Sequence, residues 1–225
     1  MSDARAILFD IDGTLLVTGG AGGVAWQRAF SELHGIEANV AERTDAGMTD
    51  PEIAAIIFRE VIGREGSQKE RSKAIGCYLK HLPDAVAESD GYRVMPGIEE
   101  LLPRLIEAGV LLGLVTGNIE AAAHIKLSRA GLNRFFSFGG YGSDSADRTE
   151  VTEAAVRRAE LVSGGSLRDG ACFAVGDTPR DVKAGHGAGI KVVGVATGSY
   201  SVEELREAGA DWAIETVEAG FPAPA

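Results

Sequence analysis

The sequence predicts an α/β protein in which a Rossmann-like parallel sheet forms the core and a small all-helical cap is inserted after the first strand. Two observations lead to this prediction. Over most of the chain, short continuous apolar runs alternate with helical patterns, whereas one long early segment shows helical patterns only. Strands covered on both faces read as continuous apolar runs, and their alternation with helices is typical of parallel sheets with right-handed crossovers. The expected core comprises residues 1–17 and 94–225, and the expected cap comprises residues 18–93.

The apolar runs and the segments between them predict the elements of the core. Strands are expected at 6–9, 110–115, 171–175 and 191–195, with weaker candidates at 135–138 and 211–214. Helices are expected at 98–105, 120–130, 152–159 and 181–188. Pro103 should kink the first of these helices or delay its start, because proline lacks the N–H that a helix interior uses.

Three apolar stripes at helical spacing predict the cap. They contain Trp26, Ala29, Phe30 and Leu33; Ala54, Ile57, Phe58 and Val61; and Ile75, Tyr78, Leu79 and Leu82. Asp50 before Pro51 is typical of a helix start, with Asp50 as the N-cap. The glycine-rich run 19–23 is similar to a phosphate-binding loop, but the Lys-Ser or Lys-Thr of such loops does not follow it. We therefore interpret this run as a flexible hinge.

The composition disfavours several kinds of partner and location. With 33 acidic and 22 basic residues, the net charge is −11, which disfavours binding to nucleic acid or anionic membranes. No apolar run approaches the ~20 residues that cross a bilayer, and residues 1–5 lack the pattern of a signal peptide. Cys77 and Cys172 are far apart and indicate neither a disulfide framework nor a zinc site. We expect a cytoplasmic protein, whose oligomeric state the sequence leaves open.

Three of the predicted strands run directly into polar residues. Asp10 and Asp12 follow the first strand, Thr116 follows the second, and Asp177 and Asp181 follow the third. Ligands of open parallel sheets bind outside the carboxyl ends of the strands, so these side chains should meet at one edge. A single aspartate there usually caps a helix or serves a turn, but two pairs favour a functional site. Four carboxylates in one cleft repel each other, and oxygen ligands of this kind suit Mg²⁺, which is the expected cofactor.

These motifs resemble those of the haloacid dehalogenase superfamily. Phe-Asp-Ile-Asp-Gly-Thr-Leu at 9–15, Val-Thr-Gly-Asn at 115–118 and Gly-Asp-Thr-Pro-Arg-Asp at 176–181 are similar to its first, second and fourth motifs. Pro96-Gly97 and the segment 195–198 are similar to the phosphoglycolate-phosphatase-like branch, and the helical insert resembles the small cap of that family. The resemblance spans nearly the whole chain and implies a phosphoric monoester hydrolase that acts on a small phosphorylated metabolite.

The resemblance implies a role for each motif residue. Asp10 would attack phosphorus and form an aspartyl-phosphate, and Asp12 would protonate the leaving oxygen and then activate water. Superfamily members that dehalogenate lack this second aspartate, so Asp12 indicates phosphoryl transfer. The residues implied to bind the phosphoryl group are Gly13, Thr116, Gly117 and the basic residue of the third motif. Those implied to hold Mg²⁺ are Asp10, the backbone carbonyl of Asp12, and Asp177, with Asp181 in support.

The third motif departs from the family pattern, because the usual lysine followed by proline does not occur. Arg148 stands at the matching place, just before a predicted helix, and its guanidinium suits multidentate binding of phosphate. The alternative for Arg148 is a surface salt bridge with Asp144 or Asp147. Lys126 is the rival basic residue, but it lies some ten residues after Thr116, and we expect an exposed position on a helix that carries it away from the cleft.

The loop before the second cap helix is expected to help select the substrate, as the cap loop does in the family that the chain resembles. The candidate residues are Thr44, Asp45, Gly47 and Thr49. Closure of such a cap would exclude water from the site. The predicted function is hydrolysis of a phosphate monoester similar to phosphoglycolate or a sugar phosphate. The alternatives are a phosphomutase of the same superfamily, a phospho-acceptor signalling domain and a non-catalytic binding protein.

Overall fold

A computed structural model describes residues 5–37, 39–40, 42–167 and 170–222 of the protein. Residues 1–4 lie outside the described residues; they belong to the segment 1–5 that was compared above with a signal peptide. Six strands form one parallel sheet in the spatial order β5-β4-β1-β6-β7-β8. These strands are β1 (Ala6–Phe9), β4 (Leu111–Thr116), β5 (Gly139–Tyr141), β6 (Cys172–Gly176), β7 (Lys191–Val195) and β8 (Trp212–Ile214). The predicted fold class is confirmed.

Helices cover both faces of the sheet and form the cap. The cap helices are α1 (Ala21–His34), α2 (Asp50–Ile57), which continues into a π-helical turn (Phe58–Ile62), and α3 (Gln68–Glu88). The core helices are α4 (Ile98–Glu107), α5 (Glu120–Ser128), α6 (Arg148–Ser163), α7 (Pro179–Gly187) and α8 (Val202–Glu207), with a 3₁₀ turn at Leu132–Phe135. Among the described residues, we find no helix whose length and hydropathy would suit a membrane span.

Three local expectations are wrong, and one of the two alternatives for Pro103 is excluded. The weak strand at 135–138 is replaced by the 3₁₀ turn and by β5, whose two glycines have low β-propensity and so hid the strand from an apolar-run criterion. Pro103 does not delay α4, which begins at Ile98. Gly22 and Gly23 lie in the first turn of α1 rather than in a hinge. Thr49, not Asp50, is the N-cap of α2, where its hydroxyl and Glu52 form a reciprocal capping box.

Two short antiparallel strands mark the places where the chain leaves and re-enters the core. They are β2 (Leu16–Thr18) and β3 (Tyr92–Val94), with Leu16 opposite Val94. The sequence offered no strand in the cap, but this pair lies where residues 17/18 and 93/94 were expected to separate core and cap. Each strand has only three residues, too few for an apolar pattern to identify. The exact domain boundaries stay a prediction.

The register of the sheet brings the ends of its central strands together. Phe9 of β1 lies opposite Leu114 of β4 on one side and Val175 of β6 on the other. The next residue, Asp10, donates its backbone N–H to the carbonyl oxygen of Val175 at 2.9 Å. Since the three strands are parallel and in step, the residues that follow them emerge side by side at one edge of the sheet.

The cap has its own hydrophobic core, which continues onto a core helix. The Trp26 and Tyr78 rings stack with their centroids 4.3 Å apart, and Phe30 packs edge-on against Phe58. Ile119 and Ala122, at the start of α5, belong to the same buried cluster. The cap therefore packs on α5, directly beside the edge of the sheet where the polar residues emerge.

Candidate active site

Asp10 and Arg148 form a buried ion pair at the end of β1. Arg148 is the first residue of α6, whose N-terminus is capped by the Asp147 carboxylate. The Arg148 Nη2 atom lies 3.5 Å from Asp10 Oδ1 and also contacts Asp181 Oδ1. Its Nε is buried and has no acceptor among the described residues. Burial raises the pKa of Asp10 to about 7, against the opposing effect of the arginine. Arg148 thus lies in the site, away from its alternative partner Asp144, which pairs with Arg158.

Asp10, Asp177 and Asp181 form a compact and buried acidic cluster. One carboxylate oxygen from each lies within 4.8 Å of those of the other two. Burial and the nearby Asp10 carboxylate raise the pKa of Asp177 to about 8. The pKa shifts of Asp10 and Asp177 both arise first from burial and then from the neighbouring carboxylates, whose negative charge a divalent cation would offset. The donor set fits a hard cation, since all three groups offer oxygen atoms.

The turn after β1 holds Asp177 in place. Gly13 adopts φ +85°, and a Cβ built on it would lie 2.3 Å from Asp177 Oδ2, so only glycine fits here. The Thr14 hydroxyl donates to Asp177 Oδ1 at 3.2 Å, and the Thr197 hydroxyl donates to the Gly13 carbonyl at 2.5 Å. Gly13, predicted to bind phosphate, lies against the acidic cluster and is not among the residues that line the cavity.

Asp181 is held by two separate elements. Its Oδ2 accepts hydrogen bonds from the Thr178 N–H at 3.1 Å and the Thr178 hydroxyl at 2.7 Å, which completes the capping box of α7. Its Oδ1 contacts Arg148. Asp181 therefore fixes Arg148 relative to α7, and the support of a metal that the resemblance implies for it stays a prediction.

Asp12 is bound by two donors that the sequence analysis did not assign to it. Lys126 Nζ lies 2.6 Å from Asp12 Oδ2, and the Asn118 side-chain amide donates to the same oxygen at 2.7 Å. The expectation that Lys126 is an exposed residue outside the cleft is wrong, because the residue is 6% exposed and lines the same cavity as Asp10.

The position of Lys126 has a simple geometric reason. Residues 117–119 are not helical, and α5 begins only at Glu120. Lys126 is therefore six residues into the helix, a rise of about 9 Å at 1.5 Å per residue, and not ten. Helix side chains also lean toward the helix N-terminus, so the long lysine stem extends back toward the sheet edge.

Thr116 and Gly117 form the loop between β4 and α5. The fully buried Thr116 hydroxyl oxygen accepts hydrogen bonds from the Asn118 N–H at 3.3 Å and the Asn118 side-chain amide at 2.8 Å. Both acceptor positions are thereby used, which leaves the hydroxyl proton to donate to a ligand. A Cβ on Gly117 would lie 2.5 Å from the Met48 carbonyl oxygen, so glycine is required for the cap loop to approach this closely.

The cap loop and the core enclose a cavity of about 270 Å³. Of the four residues expected to select the substrate, Thr44, Asp45 and Gly47 line this cavity. Thr49 does not, and its side chain is instead used to cap α2. The stacked Trp26 and Tyr78 rings form another part of the wall. Sequence patterns assigned both aromatic residues to the cap core, which they also join, and gave no separate signal for the cavity.

Asp50 links the cap to the core. Its carboxylate accepts a hydrogen bond from the Ile119 N–H at 2.9 Å, and its own N–H donates to the Gly117 carbonyl at 2.8 Å. Burial raises the pKa of Asp50 to about 6. The sequence analysis assigned Asp50 only as a helix cap. Thr49 fills that position, and no sequence signal indicated that Asp50 contacts the core.

Comparisons with known proteins agree with this geometry. The family model described as haloacid dehalogenase-like hydrolase matches residues 7–195. A phosphoglycolate phosphatase of Rhodospirillum rubrum is 30% identical over 230 residues, covering 98% of this chain and 92% of that protein. A phosphoglycolate phosphatase of Synechococcus elongatus is 27% identical over 213 residues, covering 94% and 93%.

Solved structures share the fold. The crystal structure of CbbY from Rhodobacter sphaeroides in complex with phosphate has a TM-score of 0.73 at 19% identity, covering 96% of this chain and 95% of that chain. The similarity at this level of identity concerns the fold. The curated relatives agree with the branch that the sequence motifs resemble.

Proposed function

Because the chain belongs to the haloacid dehalogenase-like hydrolase family, we propose that it is a Mg²⁺-dependent phosphatase that hydrolyses a small phosphate monoester through an aspartyl-phosphate. The observation that supports this most directly is the buried cluster of Asp10, Arg148, Asp177 and Asp181 at the carboxyl ends of β1 and β6. It joins a nucleophile, a fixed cation and a set of metal ligands. Asp12, on the same turn as Asp10, supplies a second carboxylate.

In the first step, a carboxylate oxygen of Asp10 attacks phosphorus and the bond between phosphorus and the ester oxygen breaks. The leaving oxygen takes a proton from Asp12, so the organic product departs as a neutral alcohol. Arg148, with its unpaired Nε, donates to the phosphoryl oxygens as charge spreads over them, and Thr116 donates its hydroxyl proton to another. Backbone N–H groups of the Gly117 loop are expected to bind the same group.

In the second step, water replaces Asp10. Asp12 takes one proton from the water, the water oxygen bonds to phosphorus, and the bond between phosphorus and Asp10 breaks. The products are inorganic phosphate and a regenerated Asp10, and Asp12 regains the proton that it gave in the first step. Closure of the cap loop over Gly117 limits bulk water at the phosphorylated aspartate.

The residues that would hold Mg²⁺ are Asp10, Asp177 and the backbone carbonyl of Asp12, with Asp181 in support. In this position the cation supplies positive charge that allows an anionic nucleophile and an anionic ester to approach each other. The fit rests on three clustered oxygen donors, two of which carry raised pKa values.

The size of the cavity favours a small substrate. Ligand cavities are commonly about 300–1,000 Å³, and this cavity of about 270 Å³ lies just below that range. Phosphoglycolate is the first compound to test, since curated relatives carry that activity in their names, and small sugar phosphates follow. A cytoplasmic location remains the expectation from the sequence, in which Cys77 and Cys172 indicate no disulfide framework.

The test is release of inorganic phosphate from a panel of esters in Mg²⁺ buffer, with Asp10→Asn as the matched variant. The panel contains phosphoglycolate, sugar phosphates and nucleoside monophosphates. We expect turnover of at least one small ester and a loss of several orders of magnitude in Asp10→Asn, which keeps the shape but removes the attacking charge. Substantial activity in Asp10→Asn contradicts the mechanism. Isomerisation of a sugar phosphate that needs a bisphosphate activator supports the phosphomutase instead, and a long-lived phospho-Asp10 supports the signalling domain.

A further inference from the structure

We propose that Lys126, together with Asn118, is a positioning residue that holds Asp12 in its catalytic orientation. This inference rests on the proposed function, since it concerns the carboxylate assigned to proton transfer. Two basic side chains line the site, and each contacts a different carboxylate. Arg148 contacts the nucleophile Asp10, whereas Lys126 contacts Asp12.

The contacts of Asp12 are unequal at its two oxygens. Lys126 Nζ at 2.6 Å and the Asn118 amide at 2.7 Å both donate to Oδ2. Because Oδ2 accepts two hydrogen bonds, it has no room for a proton of its own. When Asp12 is protonated, the proton therefore resides on Oδ1. The two contacts therefore select the oxygen that gives and takes the proton.

Burial makes this arrangement stiff. The Lys126 side chain is 7% exposed, whereas that of Asp12 is 42% exposed. The ammonium is thus fixed by packing, and the half-exposed carboxylate takes its orientation from it. Without these donors, Asp12 would be free to rotate toward water, and proton transfer depends steeply on geometry.

The Asn118 contact connects this positioning to phosphate binding. The same side-chain amide donates to Asp12 Oδ2 and to the Thr116 hydroxyl oxygen at 2.8 Å. Asn118 therefore fixes the group that transfers protons relative to the group expected to bind a phosphoryl oxygen. Lys126 approaches Oδ2 from α5 and is the second donor to that oxygen.

The test compares Lys126→Met with the wild type and with Lys183→Met, an exposed lysine on the core helix α7. Methionine keeps the length of the stem, and Asp12, which is half-exposed, stays solvated when the ammonium is removed. With an alkyl phosphate ester, kcat of Lys126→Met should fall about 10²-fold, the scale of a misplaced catalytic group, with little change in KM. Lys126→Arg should recover part of kcat, and Lys183→Met should match the wild type.

An aryl ester separates positioning from a merely structural effect. The leaving group of p-nitrophenyl phosphate needs little protonation, so Lys126→Met should release one equivalent of nitrophenol rapidly and then turn over slowly. Phosphorylated Asp10 should accumulate, because activation of water still requires Asp12. Thermal unfolding of each variant in Mg²⁺ buffer identifies any loss of the folded state.

A double-mutant cycle decides whether Lys126 acts through Asp12. Adding Lys126→Met to Asp12→Ala should cause no further loss of kcat. Multiplicative losses, or a raised KM with unchanged kcat in Lys126→Met, overturn the inference and leave the proposed phosphatase intact. Should Lys126→Met unfold, the same cycle with Asn118→Ala tests the shared contact to Oδ2. Failure of the proposed function itself is recognised separately, by activity in Asp10→Asn.

Discussion

Asp12 and Asp10 stand two residues apart, but their surroundings suit them to different work. Asp10 is 4% exposed and contacts Arg148, whereas the Asp12 side chain is 42% exposed and lines the cavity. A buried carboxylate beside a fixed cation is suited to attack phosphorus, and a carboxylate with access to water is suited to exchange protons. This contrast supports the division of roles between them.

For Asp12→Ala, we expect a loss of about 10²–10⁴ in kcat/KM for alkyl phosphates, the usual scale of general acid catalysis. The loss in kcat/KM should be much smaller for aryl phosphates, whose leaving groups depart without a proton. Initial rates over a series of esters measure both, with Asp84→Ala, an exposed aspartate of the cap, as the control. Equal losses for the two classes of ester would assign Asp12 another role.

For Arg148→Ala, we expect kcat to fall about 10²–10³-fold, as when one donor to developing charge is removed. Arg148→Lys should recover part of this, because charge returns without the planar fork. Arg157→Ala, an exposed arginine of the same helix, serves as the control. An Arg148→Ala enzyme that stays folded and nearly as active as the wild type would exclude Arg148 as the third-motif residue.

At the scale of elements, the contact between α2 and the start of α5 fixes the cap on the core. Thr49 caps α2 and also donates its hydroxyl to the Ala146 carbonyl at 3.4 Å, while Asp50 makes two hydrogen bonds to the loop after β4. Thr49 and Asp50 thus start α2 and also bind it to the core. Such contacts between cap and core would be lost if the cap opened.

The Asp50 carboxyl gives this contact a dependence on pH. Its pKa is raised by burial to about 6, so the folded state holds the proton more tightly than the unfolded chain does. Its contribution to stability is therefore fully present below pH 4 and is lost as the pH rises through about 6. In Asp50→Asn this loss is absent, and the amide oxygen can still accept from the Ile119 N–H.

We therefore expect the stability of Asp50→Asn relative to the wild type to increase between pH 4.5 and pH 7.5. Urea unfolding of both proteins at the two pH values, without metal, measures this difference, in which the titration of the other carboxyls cancels. A difference that stays constant with pH would show that Asp50 titrates as an ordinary carboxyl group.

At the scale of the whole molecule, the metal-free site opposes folding as the pH rises. Burial raises the pKa of Asp10 to about 7 and that of Asp177 to about 8. Both groups therefore stabilise the folded state at low pH, and that stability is lost as the pH passes through 7 to 8. A cation that binds only the folded state reverses this loss.

We expect Mg²⁺ to raise Tm more at pH 8 than at pH 5. In the same buffers, EDTA should abolish phosphate release, Mg²⁺ should restore it, and Ca²⁺ should inhibit, because its looser coordination misplaces the nucleophile. Thermal scans and phosphate release over a Mg²⁺ titration check both parts. Full turnover in EDTA, or an equal Mg²⁺ effect on Tm at both pH values, would contradict a metal site formed by these carboxylates.

The sequence by itself determined the layered α/β fold and the edge of the sheet at which Asp10, Thr116 and Asp177 meet. Apolar runs identify strands locally, and parallel strands in step place their next residues side by side. The place of Arg148 was implied by the third motif of the family that the chain resembles, and the structure puts its side chain beside Asp10 and Asp181. The glycine strand β5 and the three-residue strands β2 and β3 escaped this reasoning because they contain too little apolar pattern.

Only the tertiary structure decided which distant groups share a contact. Lys126 meets Asp12 across 114 residues of sequence, and Asp50 meets the N–H of Ile119 across 69. Periodicity along the chain reports which face of an element is apolar, but not how far a long side chain reaches back along its helix or what packs over it. The burial of Lys126 arises from those two features together, and so its contact with Asp12 became visible only when the cap and α5 were placed on the sheet.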